Sequence, residues 1–304
     1  MALTISNIKR WYLMLTGQSV YHVNQSIGEY FHKDDIRGYY NNMMEKVLKA
    51  PEFVDSDEMP FLKLDEGKLF YFPVGVFQYA FGLLDLYYKT SDNRYLLKFK
   101  KCADWTIDRQ LESGAWDNFS YYYPNNPYGA MAQGEGASLL IRAYKLFNED
   151  YYLMAAKRAL DFMLIDSKNG GCTSYEDGQV VLLEYPHRKA VMNGWIFAWW
   201  GLYDYVLISD DNYYKEILER SCKSLIGILH KFKNKYWSVY DLEGRIASPF
   251  YHNLHIAQMQ AMYVLTGKEI FNEYAILWSC QQKNLVCKSY AFIKKVFQKI
   301  IERG

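Results

Sequence analysis

Apolar residues recur at helical spacing in four similar stretches of the chain, which are residues 83–105, 140–162, 200–225 and 260–278. In each stretch, an apolar-periodic segment is followed by a short polar turn and then by a second segment of the same kind, which predicts two helices joined by a turn. The second segments align on an aromatic residue, at Tyr95, Tyr152, Tyr214 and Phe271. A period of about 60 residues therefore predicts four helical hairpins.

The polar turns between the paired segments carry the residues that usually end and start helices. Ser91, Asp92, Asp150 and Asp211 stand where a helix cap or a first-turn acid is expected. We therefore expect the two helices of each hairpin to be separated by only a few residues.

Three long connections join successive hairpins, at residues 112–130, 166–190 and 233–251. They are rich in Gly, Pro, Asn and aromatic residues, and the second predicts a β-hairpin across the sequence EDGQ at 176–179. Long loops in a compact domain commonly carry function. Since each one joins the end of a hairpin to the start of the next, we expect all three at one end of the array.

The predicted architecture is all-α, an (α/α) barrel of about four helical hairpins, with a small β-hairpin in its loops and a cleft at the loop end. We also expect a helix over residues 34–50, a short extended element over 60–72 and a basic amphipathic C-terminal helix over 282–304. No linker-like composition divides the chain, so one domain over residues 1–304 is predicted.

The composition narrows the classes of function. Aromatic residues make up 18% of the chain, including 29 tyrosines, which suit both a core and a sugar-binding cleft. A net charge of +1 selects neither nucleic acid nor a membrane as a partner. The five cysteines lack CxxC spacing, which argues against a disulfide framework and a zinc site. Without a convincing signal peptide or a long apolar run, a cytoplasmic location is expected.

The sequence YHNLH at 251–255 places His252 and His255 on one face of a predicted helix. Such a pair can bind a metal ion, but no third ligand is evident. We favour histidines that pack or hydrogen bond in the helix, with their ring nitrogens toward the cleft, and we predict neither a metal nor a cofactor.

Two further segments carry candidate chemistry. Glu184 and Tyr185 precede Pro186, and these neighbours can share a ligand only if the strand breaks there. A purely structural hairpin edge is the alternative interpretation of this segment. The glycine-rich sequence around Gln133 lacks the context of a phosphate loop, and it indicates close helix packing or the close approach of a sugar.

Three motifs together resemble the catalytic domain of D-glucuronyl C5-epimerases, and they are NPYGAMAQGEGASLLIRAYKL, LLEYP…VMNGWIFAWWGLYD and SVYDL…FYHNLHIAQMQAM. The resemblance extends from about residue 20 to 280. It implies an incomplete (α/α) barrel and the conversion of D-glucuronate to L-iduronate units in a glycan. Animal members carry additional β-rich domains before this one, and we expect none in this chain.

The resemblance also implies which residues act. The family's catalytic tyrosines match Tyr185, Tyr240 and Tyr251, and its substrate-contacting residues match Glu184 and Asn193. Further substrate-binding candidates lie in the matching motifs or beside the tyrosines, and they are Gln78, Gln133, His252, His255 and Arg245. Animal members carry an arginine where this chain has Glu243, and Arg245 is the candidate replacement.

Epimerisation removes the C5 proton and returns a proton to the opposite face of the ring, which requires a base and an acid. A polysaccharide lyase shares the first step and is the main alternative. A glycoside hydrolase could use two carboxylates from among Glu112, Asp117, Glu184 and Asp241. A non-catalytic sugar-binding toroid is the remaining hypothesis.

The expected partner is a uronate-containing oligo- or polysaccharide, free or lipid-linked. The basic C-terminal helix could place the protein at the periphery of the inner membrane, with packing against the barrel as the alternative. The sequence does not indicate an oligomeric state.

Overall fold

The computed structural model describes residues 23–49, 54–56, 58–63 and 69–301. A short helix, α1, comes first at Met44–Leu48. The eight helices that follow form four hairpins, which are α2 (Pro73–Thr90) with α3 (Asn93–Asp108), α4 (Ala130–Phe147) with α5 (Asp150–Met163), α6 (Met192–Ile208) with α7 (Asn212–Ile228), and α8 (Pro249–Thr266) with α9 (Glu269–Lys283). Helix α10 occupies Leu285–Ile301.

The hairpins form two layers. The first helix of each pair is buried along most of its length, as expected for a helix that is apolar nearly all round. The second helices α3, α5 and α7 bury only one stripe. The inner helices pack in chain order, α2 on α4, α4 on α6 and α6 on α8. This arrangement confirms the predicted (α/α) barrel of helical hairpins.

The turns between paired helices are capped much as predicted. Asp92 accepts a hydrogen bond from the Arg94 amide at 2.9 Å, and Asp211 accepts one from the Tyr213 amide at 2.9 Å. Asp150 supplies the first-turn acid of α5. Ser91 instead ends α2 in the left-handed conformation, with φ of 56°.

Glycines allow the inner helices α4 and α6 to approach closely. A Cβ atom added at Gly134 would lie 2.4 Å from the Ala198 Cα, and one added at Gly201 would lie 2.1 Å from the Gly134 carbonyl oxygen. The glycine-rich sequence is therefore explained here by helix packing. A buried ion pair at 2.5 Å between Arg142 and Asp204 also joins these two helices.

Small antiparallel strand pairs lie in the loops. The predicted β-hairpin across residues 176–179 is confirmed, with β3 (Thr173–Ser174) paired to β4 (Val181–Leu182). The extended element predicted over 60–72 contains β1 (Leu62–Lys63) paired to β2 (Leu69–Phe70).

The prediction of a helix over residues 34–50 is wrong for residues 34–43, and α1 is its helical part. Residue 50 lies outside the described residues. Tertiary contacts hold the segment before α1 in an irregular path. A Cβ at Gly38 would lie 2.6 Å from the Asp85 side chain, whose Oδ1 also accepts from the Tyr39 amide at 3.2 Å. The Tyr40 hydroxyl donates to Asp204 at 2.5 Å. These long-range contacts outweigh local helix propensity.

The C-terminal helix begins later than predicted, because residues 282 and 283 belong to α9. Asn284 has extended backbone, with φ of −78° and ψ of 113°, and its side chain accepts from the Val286 amide at 2.9 Å. Residues 302–304 lie outside the described residues. Across the described ranges, no helix combines the length and apolarity that a membrane span requires.

Candidate active site

A cavity of about 320 Å³ lies where the long loops meet the first turns of the inner helices, a size within the usual range for a ligand site. Its walls include the starts of α2, α4, α6 and α8, through Val74, Met131, Asn193 and Tyr251. The cavity therefore places these loop ends at one end of the barrel, as expected. The other lining residues named below are Lys46, Gln78, Phe119, Glu184, Tyr185 and Leu254.

Two of the three predicted catalytic tyrosines line this cavity. Tyr185 follows β4, and its ring packs at 4.7 Å, centroid to centroid, on Phe119. Tyr251 lies in the first turn of α8, where its amide donates to the Ser248 hydroxyl at 3.4 Å. One phenol thus comes from a loop and the other from an inner helix.

The third tyrosine, Tyr240, lies behind Tyr251 and does not line the cavity. The two rings meet edge to face at 4.7 Å, and the Tyr240 hydroxyl donates a hydrogen bond to the Tyr251 hydroxyl. The Arg245 guanidinium lies 5.7 Å from the centre of the Tyr240 ring. Tyr240 can therefore act on a ligand through Tyr251.

Glu184 is buried at 6% exposure in the cavity wall. It packs against the first turn of α6, where a Cβ at Gly194 would lie 2.2 Å from the Glu184 Oε2 atom. This oxygen has no hydrogen-bond partner. Burial raises the pKa of Glu184 to about 7, although a hydrogen bond from Tyr185 and the charge of Arg245 oppose the rise. The carboxyl group can therefore gain or lose a proton near neutral pH.

The three phenols are all neutral in the free protein at neutral pH. Burial raises the pKa of Tyr251 to about 12, and it raises the pKa values of Tyr185 and Tyr240 further. The charge of Glu184 adds to the effect at each of them. Tyr251 is the least affected because it accepts the hydrogen bond from Tyr240, which stabilises a phenolate.

Asn193 and Gln78 line the cavity, as expected of substrate-binding residues. The Asn193 Oδ1 atom is buried without a hydrogen-bond partner, so it can accept a bond from a ligand. The Gln78 amide donates to Glu135 at 3.1 Å, which fixes its orientation in the wall.

Gln133, predicted to bind substrate, does not line the cavity. It is fully buried, its Nε2 donates to the carbonyls of Trp116 and Gly129, and its Oε1 accepts from the Trp116 amide at 2.9 Å. Its role in the structure is to hold the first long loop against α4.

His252 and His255 also lie outside the cavity, contrary to the expectation that their nitrogens face the cleft. Both Nδ1 atoms contact the Ser238 hydroxyl, at 2.8 and 2.9 Å, and the His252 Nε2 contacts the Trp278 carbonyl at 3.1 Å. The His252 ring stacks on Trp237 at 3.6 Å. Burial lowers the pKa of His252 to about 3 and that of His255 well below its ordinary value, so both rings are neutral.

Arg245 does not line the cavity and is engaged by acids of its own loop. Its Nε bonds to Asp241, and its Nη2 lies 3.5 Å from Glu243. In this structure Arg245 thus contributes charge and packing behind Tyr240. Among the described residues, no group of three or more His, Cys, Asp or Glu side chains could hold a metal ion.

Sequence reasoning missed two charged residues beside the cavity, Lys46 and Glu135. Lys46 belongs to α1 and lines the cavity, whereas Glu135 is fully buried in α4 below Gln78. No motif marked Lys46, because the segment was interpreted only as a helix. Glu135 lies within the glycine-rich sequence, and no motif there marks it as a site residue.

A model of the D-glucuronyl C5-epimerase C-terminus matches residues 100–280 of the chain. The D-glucuronyl C5-epimerase of Caenorhabditis elegans is 28% identical over 209 residues, covering 59% of this chain and 34% of that protein. An uncharacterized protein of Methanocaldococcus jannaschii is 28% identical over 158 residues, covering 49% of this chain and 51% of that one. The chain thus spans between a third and a half of these relatives.

Among solved structures, a sugar epimerase from a ruminal bacterium superposes with a TM-score of 0.50 and 14% identity, covering 72% of this chain and 62% of that chain. At this identity the likeness concerns the fold, and it agrees with the barrel described above. The family model covers more than half of the chain, and it includes Tyr185, Tyr240 and Tyr251. The chain therefore belongs to the D-glucuronyl C5-epimerase C-terminus family.

Proposed function

We propose that this protein is a uronyl C5-epimerase that converts D-glucuronate to L-iduronate units in a glycan, without a cofactor. The observation that carries the proposal is the convergence of Tyr185, Tyr251 and Glu184 on one cavity, in a chain of this family. The experiment that tests it is incubation with a glucuronate-containing oligosaccharide in deuterated water. Deuterium at C5 together with iduronate supports the proposal.

In the proposed reaction, the bond between C5 and its hydrogen breaks and its electron pair delocalises into the carboxylate. A base on one face of the ring takes the proton. An acid on the other face then delivers a proton to C5, so that the configuration inverts and no other bond changes. Donors placed beside the carboxylate stabilise the charge that accumulates there.

Tyr185 and Tyr251 are the proposed base and acid, and their roles exchange in the reverse direction. Tyr185 can accept the C5 proton as it passes its own phenolic proton to Glu184, since the pKa of Glu184 is near 7. Tyr251 delivers its proton to C5 from the opposite face of the ring, and the hydrogen bond from Tyr240 stabilises the phenolate that results. In the forward direction neither step needs a free phenolate beforehand, and the cycle closes when Glu184 releases its proton to solvent and Tyr251 takes one up. In the reverse direction Tyr251 starts as the phenolate.

The carboxylates favour this chemistry over glycoside hydrolysis. Of the four acids considered for hydrolysis, only Glu184 lines the cavity, while Asp241 is bound to Arg245. A lyase would share the first step and then expel the C4 oxygen, and an unsaturated uronate product would identify it.

The C-terminal helix supports a second element of the proposal, docking on an anionic membrane surface. Lys295 and Gln298 of α10 bond to the backbone of Ile246, at 2.6 and 2.9 Å. Large apolar side chains of the helix are exposed instead, at Leu285, Val286, Ile293 and Phe297, and the exposed Lys288 and Lys294 complement anionic lipid headgroups. This docking would occur in the cytoplasm, at the membrane where lipid-linked glycans are assembled.

Sedimentation with vesicles tests the docking. The protein should bind vesicles that contain phosphatidylglycerol more strongly than neutral ones, and Ile293→Asp should weaken the binding. Equal sedimentation of the variant and the unmodified protein would contradict it. Met154→Asp, which removes an exposed apolar side chain from α5, is the matched control.

A further inference from the structure

Lys46 is the only cationic side chain among the described residues that line the cavity. It belongs to α1, which packs against α2, and its side chain is partly buried. No carboxylate in the described part of the chain lies within 4.0 Å of its ammonium group, although twelve such pairs occur elsewhere. A partly desolvated charge without an ion-pair partner is costly, and a binding site is one setting that retains it.

Glu135 is the acid that acts electrostatically on Lys46, and it forms no ion pair with it within 4.0 Å. Both Glu135 oxygens lie near the Gln78 amide, at 3.1 and 3.4 Å. Burial raises the pKa of Glu135 to about 8, so its neutral form dominates at pH 7. Burial lowers the pKa of Lys46 to about 8, and the charge of Glu135 opposes that fall. An anionic group in the cavity would therefore stabilise the charged form of Lys46.

Glu135 also connects the lysine to the catalytic wall. It interacts electrostatically with both Lys46 and Glu184. Lys46, Tyr185 and Tyr251 all line the same cavity. An anionic sugar that contacts Tyr185 and Tyr251 can reach Lys46 with a carboxylate.

We propose that Lys46 binds a uronate carboxylate of the glycan in the cavity, and so selects acidic over neutral sugars. The inference rests on the proposed function, because it takes the ligand to be a uronate. An ammonium placed there neutralises the carboxylate, and its hydrogen bonds to the carboxylate are charge-assisted. The unpartnered Oδ1 of Asn193 and the Gln78 side chain remain for the sugar hydroxyls.

Binding titrations of two ligands test the inference, using a glucuronate-containing oligosaccharide and its carboxyl-reduced counterpart. Lys46→Met should weaken binding of the acidic ligand at least about tenfold and leave the reduced ligand nearly unchanged. Lys46→Arg should keep most of the preference for the acidic ligand. Lys49→Met, which removes a positive charge from the same region, should change neither. Equal affinity of Lys46→Met and the unmodified protein for the acidic ligand would overturn the inference.

Two further comparisons complete the test. If Lys46→Met does not fold, the unmodified protein still decides, because a preference for the acidic ligand that does not fall with rising salt contradicts the role of a charge. Ligands with one or several uronates locate the carboxylate. If Lys46→Met loses affinity for the single-uronate ligand, Lys46 binds the carboxylate of the reacting sugar. If it loses affinity only for the longer ligand, Lys46 binds the carboxylate of a neighbouring sugar. A protein that binds uronates through Lys46 but exchanges no C5 hydrogen would refute the proposed function alone.

Discussion

The ring of Tyr240 meets the ring of Tyr251 edge to face at 4.7 Å, and its hydroxyl donates to the Tyr251 hydroxyl. Only Tyr251 of this pair lines the cavity. The resemblance to the family predicts three catalytic tyrosines, and this geometry gives two of them different positions. We propose that Tyr251 contacts the ligand and that Tyr240 acts through Tyr251.

This division predicts different effects for the two tyrosines. Tyr251→Phe removes a proton-transfer group, so turnover should fall by about 10² to 10⁴. Tyr240→Phe should reduce turnover by less, because Tyr251 keeps its hydroxyl and loses only the donor that opposes the rise of its pKa. Initial rates between pH 6 and 10 measure both effects. Tyr263→Phe, later on the same helix, is the control, and equal losses in all three variants would contradict the account.

Glu184 should make the protein less stable as pH rises. Its pKa is about 7 in the folded protein against an ordinary value of 4.5, so the folded state holds more protons between these values. The free energy of unfolding should therefore fall by about 3 kcal/mol between pH 4.5 and 7 through this group. Glu184→Gln removes that slope and should also lower activity strongly. Urea unfolding at several pH values measures how the free energy of unfolding depends on pH. The same pH dependence in Glu184→Gln and the unmodified protein would contradict the raised pKa of Glu184.

Gly194 should be needed for the position of Glu184. A Cβ there would lie 2.2 Å from the carboxyl oxygen, so Gly194→Ala must displace Glu184 or the first turn of α6. We expect destabilisation of about 1–3 kcal/mol and a loss of activity. Gly227→Ala is the matched control, since nothing lies within 4 Å of a Cβ there, and it should stabilise α7 by about 0.5–1 kcal/mol. Full activity in Gly194→Ala would contradict the assigned geometry.

The buried histidines should limit stability in acid. The pKa of His252 is about 3 in the folded protein against 6.5, so the unfolded state takes up a proton first as pH falls. The free energy of unfolding should therefore drop between pH 6.5 and 3, by roughly 5 kcal/mol through this ring. His252→Gln should show a flatter pH dependence, although it is less stable at pH 7. The exposed His230 provides the control, and an equal slope in His230→Gln and His252→Gln would refute the interpretation.

Local patterns were sufficient to predict the barrel. Each hairpin combines apolar periodicity with a capped turn such as Asp92 or Asp211, and these signals act over a few residues. The segment around Gly38 and Tyr39 escaped prediction because Asp85, 46 residues away from Tyr39, fixes its backbone. Contacts at that separation leave no periodic signal.

The site was predicted unevenly, for a related reason. Tyr251 and His252 are neighbours, yet about 100° of helical rotation separates their side chains. Tyr251 and Leu254 face the cavity, whereas His252 and His255 face Ser238. The spacing of the histidines shows that they share a face, but it does not show which face is inward. The position of Lys46 in the cavity depends on how α1 packs against the barrel, and no local sequence pattern predicts that packing.

The most direct test of the central claim is hydrogen exchange at C5 of a glucuronate-containing oligosaccharide in deuterated water, followed by mass and proton NMR analysis. The account predicts deuterium at C5, formation of iduronate and an intact chain, and it predicts that Tyr251→Phe strongly reduces the formation of iduronate while Tyr263→Phe does not. Chain cleavage with an unsaturated uronate end, or an oligosaccharide that binds in the cavity without any exchange, would contradict it.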